Sequence, residues 1–179
     1  GFAAMNRQLK EQFGLRDIGL WHAFNGYWNG INPDSELGRT FEDELFSWKQ
    51  KPRPTDDDSV TMAEYFFVRP DSKALEEFYM SRMSRHKLEG FSFVKVDNQL
   101  VTERMPRNNY PIGYLSRRMH EAFNRAVFRY FGGAMINCMD MTAEAYQYFG
   151  SSPVARCVED YFPYENGGRG YELEKGGAA

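Results

Sequence analysis

Two aspartates end apolar, β-type runs at the point where each run meets a polar loop. Asp97 closes Phe-Ser-Phe-Val-Lys-Val-Asp (91–97), and Asp160 lies in Arg-Cys-Val-Glu-Asp-Tyr-Phe-Pro (156–163). They are 63 residues apart, about two strand-plus-helix units at roughly 30 residues each. In an α/β barrel that spacing puts both carboxylates at the same open end, the arrangement that cleavage of a glycosidic bond requires. Side chains alternate along a strand, so Phe91, Phe93, Lys95 and Asp97 share one face and Ser92, Val94 and Val96 the other. If the first set faces a barrel axis, Lys95 and Asp97 emerge together at its mouth. A cation two residues from a carboxylate favours ionisation, as a nucleophile needs; the alternative is an ordinary strand-end ion pair. At the second site Glu159 precedes Asp160, and alternation does not say which of the two faces inward. Trp21 and His22 close another apolar run, and Tyr27 and Trp28 follow a Gly-containing turn. A lone strand-end tryptophan is more often core, but two flanking such a turn beside a histidine suit stacking on the apolar face of a sugar.

The elements that must position these groups follow from periodicity. Residues 3–13 read as a helix stopped by Gly14, and 17–24 as a short buried strand ended by Asn25-Gly26. A loop-rich stretch follows from Tyr27 to Val60, with an acidic triplet at 56–58 that reads as a solvated turn. Next come a strand at 65–69, a helix at 73–88 with Leu75, Phe78, Tyr79 and Met83 as its apolar stripe, and the 91–97 strand. A helix over 112–131 carries Leu115, Met119, Phe123, Val127, Phe128 and Phe131 on one face and ends at Gly132-Gly133. A strand at 134–139, a helix at 141–149 and a strand at 153–158 complete the pattern. Strands alternating with helices predict parallel βαβ units. With no GxGxxG and no P-loop, the fold class expected is α/β, a partial (β/α)8 TIM barrel supplying roughly strands three to six.

Composition agrees with a globular chain: 179 residues, 42% hydrophobic, 26% charged and a net charge of −3. That charge, without a basic run, argues against nucleic acid as the partner. No apolar stretch reaches the roughly 18 residues of a membrane span. Cys138 and Cys157 lack CxxC spacing and read as buried thiols, and His22, His86 and His120 form no metal motif. A whole barrel takes about 250 residues, and both termini read as cut. The expectation is one partial barrel domain over 1–179, truncated at both ends, of unassigned oligomeric state.

Four segments carry a resemblance. Trp21-His22-Ala23-Phe24-Asn25-Gly26-Tyr27-Trp28-Asn29-Gly30-Ile31 closely resembles the Trp-His-Ala-x-x-Gly-Tyr-Trp-x-Gly-Val segment of the raffinose synthase and seed-imbibition-type α-galactosidases of glycoside hydrolase family 36. Phe93-Val94-Lys95-Val96-Asp97-Asn98-Gln99 is similar to that family's Val-Lys-Val-Asp-x-Gln block, and Ile136-Asn137-Cys138-Met139 to its Ile-Ser-Cys-Met strand. Residues 156–163 resemble its Arg-x-Ser-Asp-Asp-Phe-x-Pro block, with Val158 and Glu159 standing where the family has serine and the first aspartate. The family's early-strand Trp-x-x-Trp-Asp-Ala-Phe and Asp-Asp-Gly-Trp-Gln motifs do not occur in these 179 residues.

The resemblance implies a retaining enzyme acting on α-galactosides of the raffinose type, either hydrolase or transferase. It makes Asp97 the nucleophile and, choosing between neighbours, Asp160 the general acid/base, which must then hold a proton near neutral pH. Lys95, Cys138 and Arg156 would hold hydroxyls or tune charge, and Trp21, His22 and Trp28 would shape the sugar pocket. The implied partner is a galactose-containing oligosaccharide; no metal or organic cofactor is expected. Two other readings remain open: a barrel that binds carbohydrate without catalysis, and an α-N-acetylgalactosaminidase.

Overall fold

The structure, a computed structural model, describes residues 1–50, 63–105, 109–148, 152 and 154–156. Its centre is a parallel sheet of β1 (Gly19–Ala23), β4 (Phe93–Asp97) and β5 (Met135–Asn137), in the order β1-β4-β5. Trp21 registers with Lys95, Ala23 with Asp97 and Lys95 with Ile136. A parallel bridge between Asn137 and Ala155 carries the chain along the far side of β5. That bridge is the described part of the strand expected at 153–158.

Each pair of parallel strands is joined through a long helix, α3 (Ala74–Leu88) between β1 and β4 and α5 (Ile112–Phe131) between β4 and β5. Both match the periodic reading. Leu75, Phe78, Tyr79 and Met83 of α3 are buried, as are Leu115, Met119, Phe123, Val127 and Phe131 of α5. Phe128 departs from that reading: it is 66% exposed. At about 100° per residue the buried positions of α5 span an arc from Ala122 to Phe131, and Phe128 falls beyond its edge. Gly132 takes φ 61° and returns its N–H to Phe128 O at 3.0 Å, a left-handed cap that glycine adopts without a Cβ penalty.

The sheet's two faces differ. Val94 and Val96 are fully buried under the helices. His22 joins them, its ring stacked 5.6 Å from Phe123 and edge-on to His86 at 5.7 Å. The opposite face presents Trp21, Phe93, Lys95 and Ile136, all partly exposed. Alternation along the strands thus places the 93/95/97 set away from the helices, as a barrel interior would require.

One expected strand is elsewhere. Residues 65–69 do not join the parallel sheet; they lie in β3 (Ala63–Val68), which pairs antiparallel with β2 (Leu45–Gln50). β2 falls inside the stretch expected to be loop. The same stretch contains a short helix, α2 (Glu36–Thr40), capped by Ser35 Oγ accepting from Gly38 N–H at 3.0 Å. Both edges of β3 are occupied, by β2 on one side and by Gly30-Ile31 on the other, where Ile31 N–H donates to Phe66 O at 2.8 Å. Trp48 and Tyr65 pair across the hairpin with ring centroids 5.6 Å apart, and Phe67 docks it edge-on to Phe78 of α3 at 5.3 Å. The result is a lobe inserted between β1 and α3. The helix expected at 141–149 is shorter, α6 (Ala143–Tyr146), and α1 (Phe2–Phe13) ends at Gly14 as expected. The acidic triplet at 56–58 lies outside the described residues.

Candidate active site

The carboxyl end of a parallel sheet collects functional groups because every strand there gives way to a loop that can be varied without breaking the ladder. Asp97 stands at that end, on the middle strand, and is 6% exposed. Two donors hold its carboxylate. Trp21 Nε1–H donates to one oxygen at 3.0 Å, and the Asn98 backbone N–H donates to the other at 2.7 Å. Lys95 makes no ion pair with it, so the strand-end pair considered from the sequence does not form. Two donors converging on one carboxylate fix the direction in which its oxygens point.

Asn98 makes the second contact by adopting φ 62°, a left-handed conformation that asparagine tolerates better than most residues. Its side chain then donates to Asn25 Oδ1 at 2.7 Å and to Trp28 O at 3.3 Å. The loop after β1 is thereby tied to the loop after β4. Trp21 and Trp28 approach with ring centroids 5.4 Å apart, and Tyr27 meets Trp21 edge-on at 6.2 Å. Trp28 is 43% exposed. This half-open aromatic group beside Asp97 offers a ring surface of the kind sugars stack on.

From β5, Cys138 lies buried on the same face. Burial and the nearby Asp97 charge push its thiol up, partly opposed by Lys95 and Arg156. Arg156 Nη1 lies 3.9 Å from Cys138 Sγ. The structure therefore brings together Trp21, Trp28, Lys95, Asp97, Cys138 and Arg156. His22 is not with them. It sits on the helix-facing side of β1, where burial first, then the charge of Arg82, holds its imidazole well below the ordinary histidine value. Alternation explains it: Trp21 and His22 are neighbours in sequence and must point to opposite faces. Asp160, Glu159 and Cys157 lie outside the described residues.

Several residues not singled out from the sequence complete the site. Asn98 is one. A buried relay is another: His120 Nε2 meets Gln99 Oε1 at 3.1 Å, Gln99 Nε2 donates to Asn137 Oδ1 at 3.1 Å, and Asn137 Nδ2 donates to Ser152 O at 2.9 Å. It ties α5, the loop after β4, β5 and the segment leading to Arg156 into one layer beneath the site. Nothing in composition or period marks these amides as paired, since the partners are 15 to 38 residues apart. Asp140 is the third addition, fully buried in the loop after β5. Among the described residues no cluster of three or more His, Cys, Asp or Glu side chains could hold a metal ion.

A groove of about 680 Å³ on the outer side of α5, lined in part by Met80, Arg125, Phe128, Arg129 and Tyr148, shares no residue with this constellation. Volume alone does not locate the chemistry here.

Comparison with known proteins gives the constellation a context. The chain is 29% identical over 164 residues to a protein of Arabidopsis thaliana named probable galactinol–sucrose galactosyltransferase 6, and 24% identical over 162 residues to probable galactinol–sucrose galactosyltransferase 1 of the same plant. Those alignments cover 86% and 87% of this chain but 21% of each relative, so the chain spans about a fifth of the length of these curated relatives. The family model described as raffinose synthase or seed imbibition protein Sip1 matches residues 1–173. The chain belongs to the raffinose synthase and seed imbibition protein family.

Proposed function

We propose that this chain is the central part of a (β/α)8 barrel in an enzyme that transfers or hydrolyses α-galactosyl groups on raffinose-type oligosaccharides by a retaining mechanism. The observation that carries the reading is Asp97. It is held by two donors at the carboxyl end of a parallel strand, beside a partly exposed tryptophan pair. A carboxylate oxygen is what a nucleophile needs, and the Trp21 and Asn98 N–H groups fix the direction of the two on Asp97.

In this reading Asp97 attacks the anomeric carbon and forms a galactosyl ester as the glycosidic bond breaks. Asp160 gives its proton to the leaving oxygen, then removes one from the incoming hydroxyl, which cleaves the ester. Strands two apart in a sheet lie roughly 9–10 Å apart at the backbone, and converging side chains can narrow that to the roughly 5–5.5 Å of a retaining pair. Trp21 and Trp28 form the apolar side of the galactose pocket, and Lys95, Cys138 and Arg156 line its polar side. His22 supports the fold beneath them. The names of the two plant relatives favour a sugar hydroxyl over water as acceptor.

The test uses the intact protein with galactinol as donor and sucrose as acceptor, together with an activated α-galactoside. The expected result is galactosyl transfer that Asp97→Ala abolishes, and Asp160→Ala activity that added azide restores by replacing the deprotonated acceptor. Binding of sugar without turnover of any α-galactoside would instead support the non-catalytic reading.

A further inference from the structure

One residue of β5, Asn137, holds the segment that carries Arg156. Among the described residues that segment meets β5 at a single bridge, between Asn137 and Ala155. Asn137 N–H donates to Val154 O at 2.9 Å, and Arg156 N–H donates to Asn137 O at 2.9 Å. The side chain adds to both. Asn137 Nδ2 donates to Ser152 O at 2.9 Å and to Val154 O at 3.1 Å, so one carbonyl receives two bonds from one residue. Ser152 Oγ donates in turn to Met135 O at 2.5 Å. Backbone carbonyls only accept, so they fix the orientation of the Asn137 amide. Its oxygen then faces Gln99, whose Nε2 donates to it at 3.1 Å, and the Gln99 oxygen is left to His120 Nε2 at 3.1 Å. Gln99 stands two residues beyond Asp97. Asn137, Gln99 and Ser152 are all buried, so bulk water does not replace a partner lost there.

The pleat divides the work of β5. Asn137 registers with Val96 on the helix-facing side and grips the backbone of 152–156. Cys138 faces the site, its Sγ 3.9 Å from Arg156 Nη1. The structure assigns Asn137 the role of a positioning residue. Its amide, bonded to Gln99 on one side and to the Ser152 and Val154 carbonyls on the other, sets where Arg156 stands relative to Asp97. Serine occupies this place in the Ile-Ser-Cys-Met strand that residues 136–139 resemble. A hydroxyl offers one hydrogen and one oxygen at a single point. A carboxamide offers an acceptor on one atom and two donors on another, and so bonds both sides at once. That Arg156 acts on a galactosyl substrate rests on the function proposed above. The clamp itself does not.

Hydrogen exchange and a double-mutant cycle on the intact protein test the role. In Asn137→Ser the Arg156 amide should exchange about 10-fold faster or more, because two bonds that hold its segment are gone. An unmoved Arg156 amide would overturn the clamp. On an activated α-galactoside, kcat/KM of Asn137→Ser should fall about 10-fold or more, as misplacement of a binding group does. In an Arg156→Lys background the same substitution should lower it by less than about 2-fold, because the arginine it acts through is already replaced. Tm should fall by nearly the same amount in both backgrounds. Additive losses in kcat/KM would overturn the assignment, as would a Tm coupling that matches the kinetic one, the mark of a merely structural role. Where turnover of Arg156→Lys is too slow to measure, Kd for galactose, read by tryptophan fluorescence, takes the place of kcat/KM in the cycle. If Asn137→Ser does not fold, Gln99→Met removes the bond at the other end of the amide and should show the same non-additivity, with additive losses again overturning the role. A wild type that turns over no α-galactoside counts against the proposed function, and the exchange of the Arg156 amide still decides the clamp.

Discussion

Acid should unfold this protein through its histidines before its carboxylates, and His120 gives the cleanest case. The ring lies 3% exposed between α5 and the loop after β4, with Nδ1 facing Ser116 and Nε2 facing Gln99. Burial, only partly offset by Ser116 and Glu144, lowers it from 6.5 to about 4. In the unfolded chain it regains its ordinary value, so between about pH 6.5 and 4 the unfolded state binds more protons. Its stabilising contribution is complete above about pH 6.5 and is lost as pH falls toward 4. A shift of roughly 2.5 units at about 1.36 kcal/mol each amounts to about 3 kcal/mol. The perturbation is His120→Gln, which keeps a donor and an acceptor at the site but cannot titrate. Urea unfolding of both proteins from pH 8 to 4 is the assay. The wild type should lose about 3 kcal/mol more than the variant across that range, while His22 and His86, the latter lowered to about 4 mainly by burial and Arg82, lower the stability of both. Superimposable pH profiles would refute the reasoning.

Other outcomes follow from single contacts. Trp21→Phe removes the Nε1 donor to Asp97 while keeping a ring, and should lower kcat on an activated galactoside by roughly 10-fold to 100-fold, equivalent to about 1.5–3 kcal/mol for a hydrogen bond to a charged group. Gly30 has φ 82°, and a Cβ there would run into Phe66 O. Gly30→Ala should therefore cost about 1–3 kcal/mol in thermal or chemical unfolding by loosening the β2–β3 lobe. Phe123→Ala should cost about 3–5 kcal/mol, because that ring is buried against His22, Phe24 and Tyr79. Phe128→Ser, on the exposed side of the same helix, should change stability by about 0.5 kcal/mol or less.

The helices and parallel strands were legible because their residues repeat with the period of the element. The 3.6-residue stripe of α3 and α5 and the alternation of 93–97 each depend only on local spacing. The lobe was not legible for the converse reason. Its strands find one another by pairing Trp48 with Tyr65 across residues 51–62, and its second edge is closed by Gly30-Ile31; neither contact leaves a local signature. His22 shows the same limit at the site. The sequence segment around Trp21 names both side chains together, while the pleat sends them to opposite faces. Asn98, Gln99 and Asn137 stand inside the segments that carry the resemblance, but their roles depend on partners distant in sequence and so leave no local mark. Asp97 stood out from spacing alone, and its two donors became apparent only when β1 lay beside β4.

The central claim is that Asp97 is the nucleophile in a covalent step. Incubating the intact protein with a mechanism-based fluorinated galactoside and sequencing the labelled peptide by mass spectrometry tests it most directly. The account predicts a galactosyl ester on Asp97 within Phe93–Gln99, and no labelling in Asp97→Ala. A label on another residue, or undiminished turnover by Asp97→Ala, would contradict it.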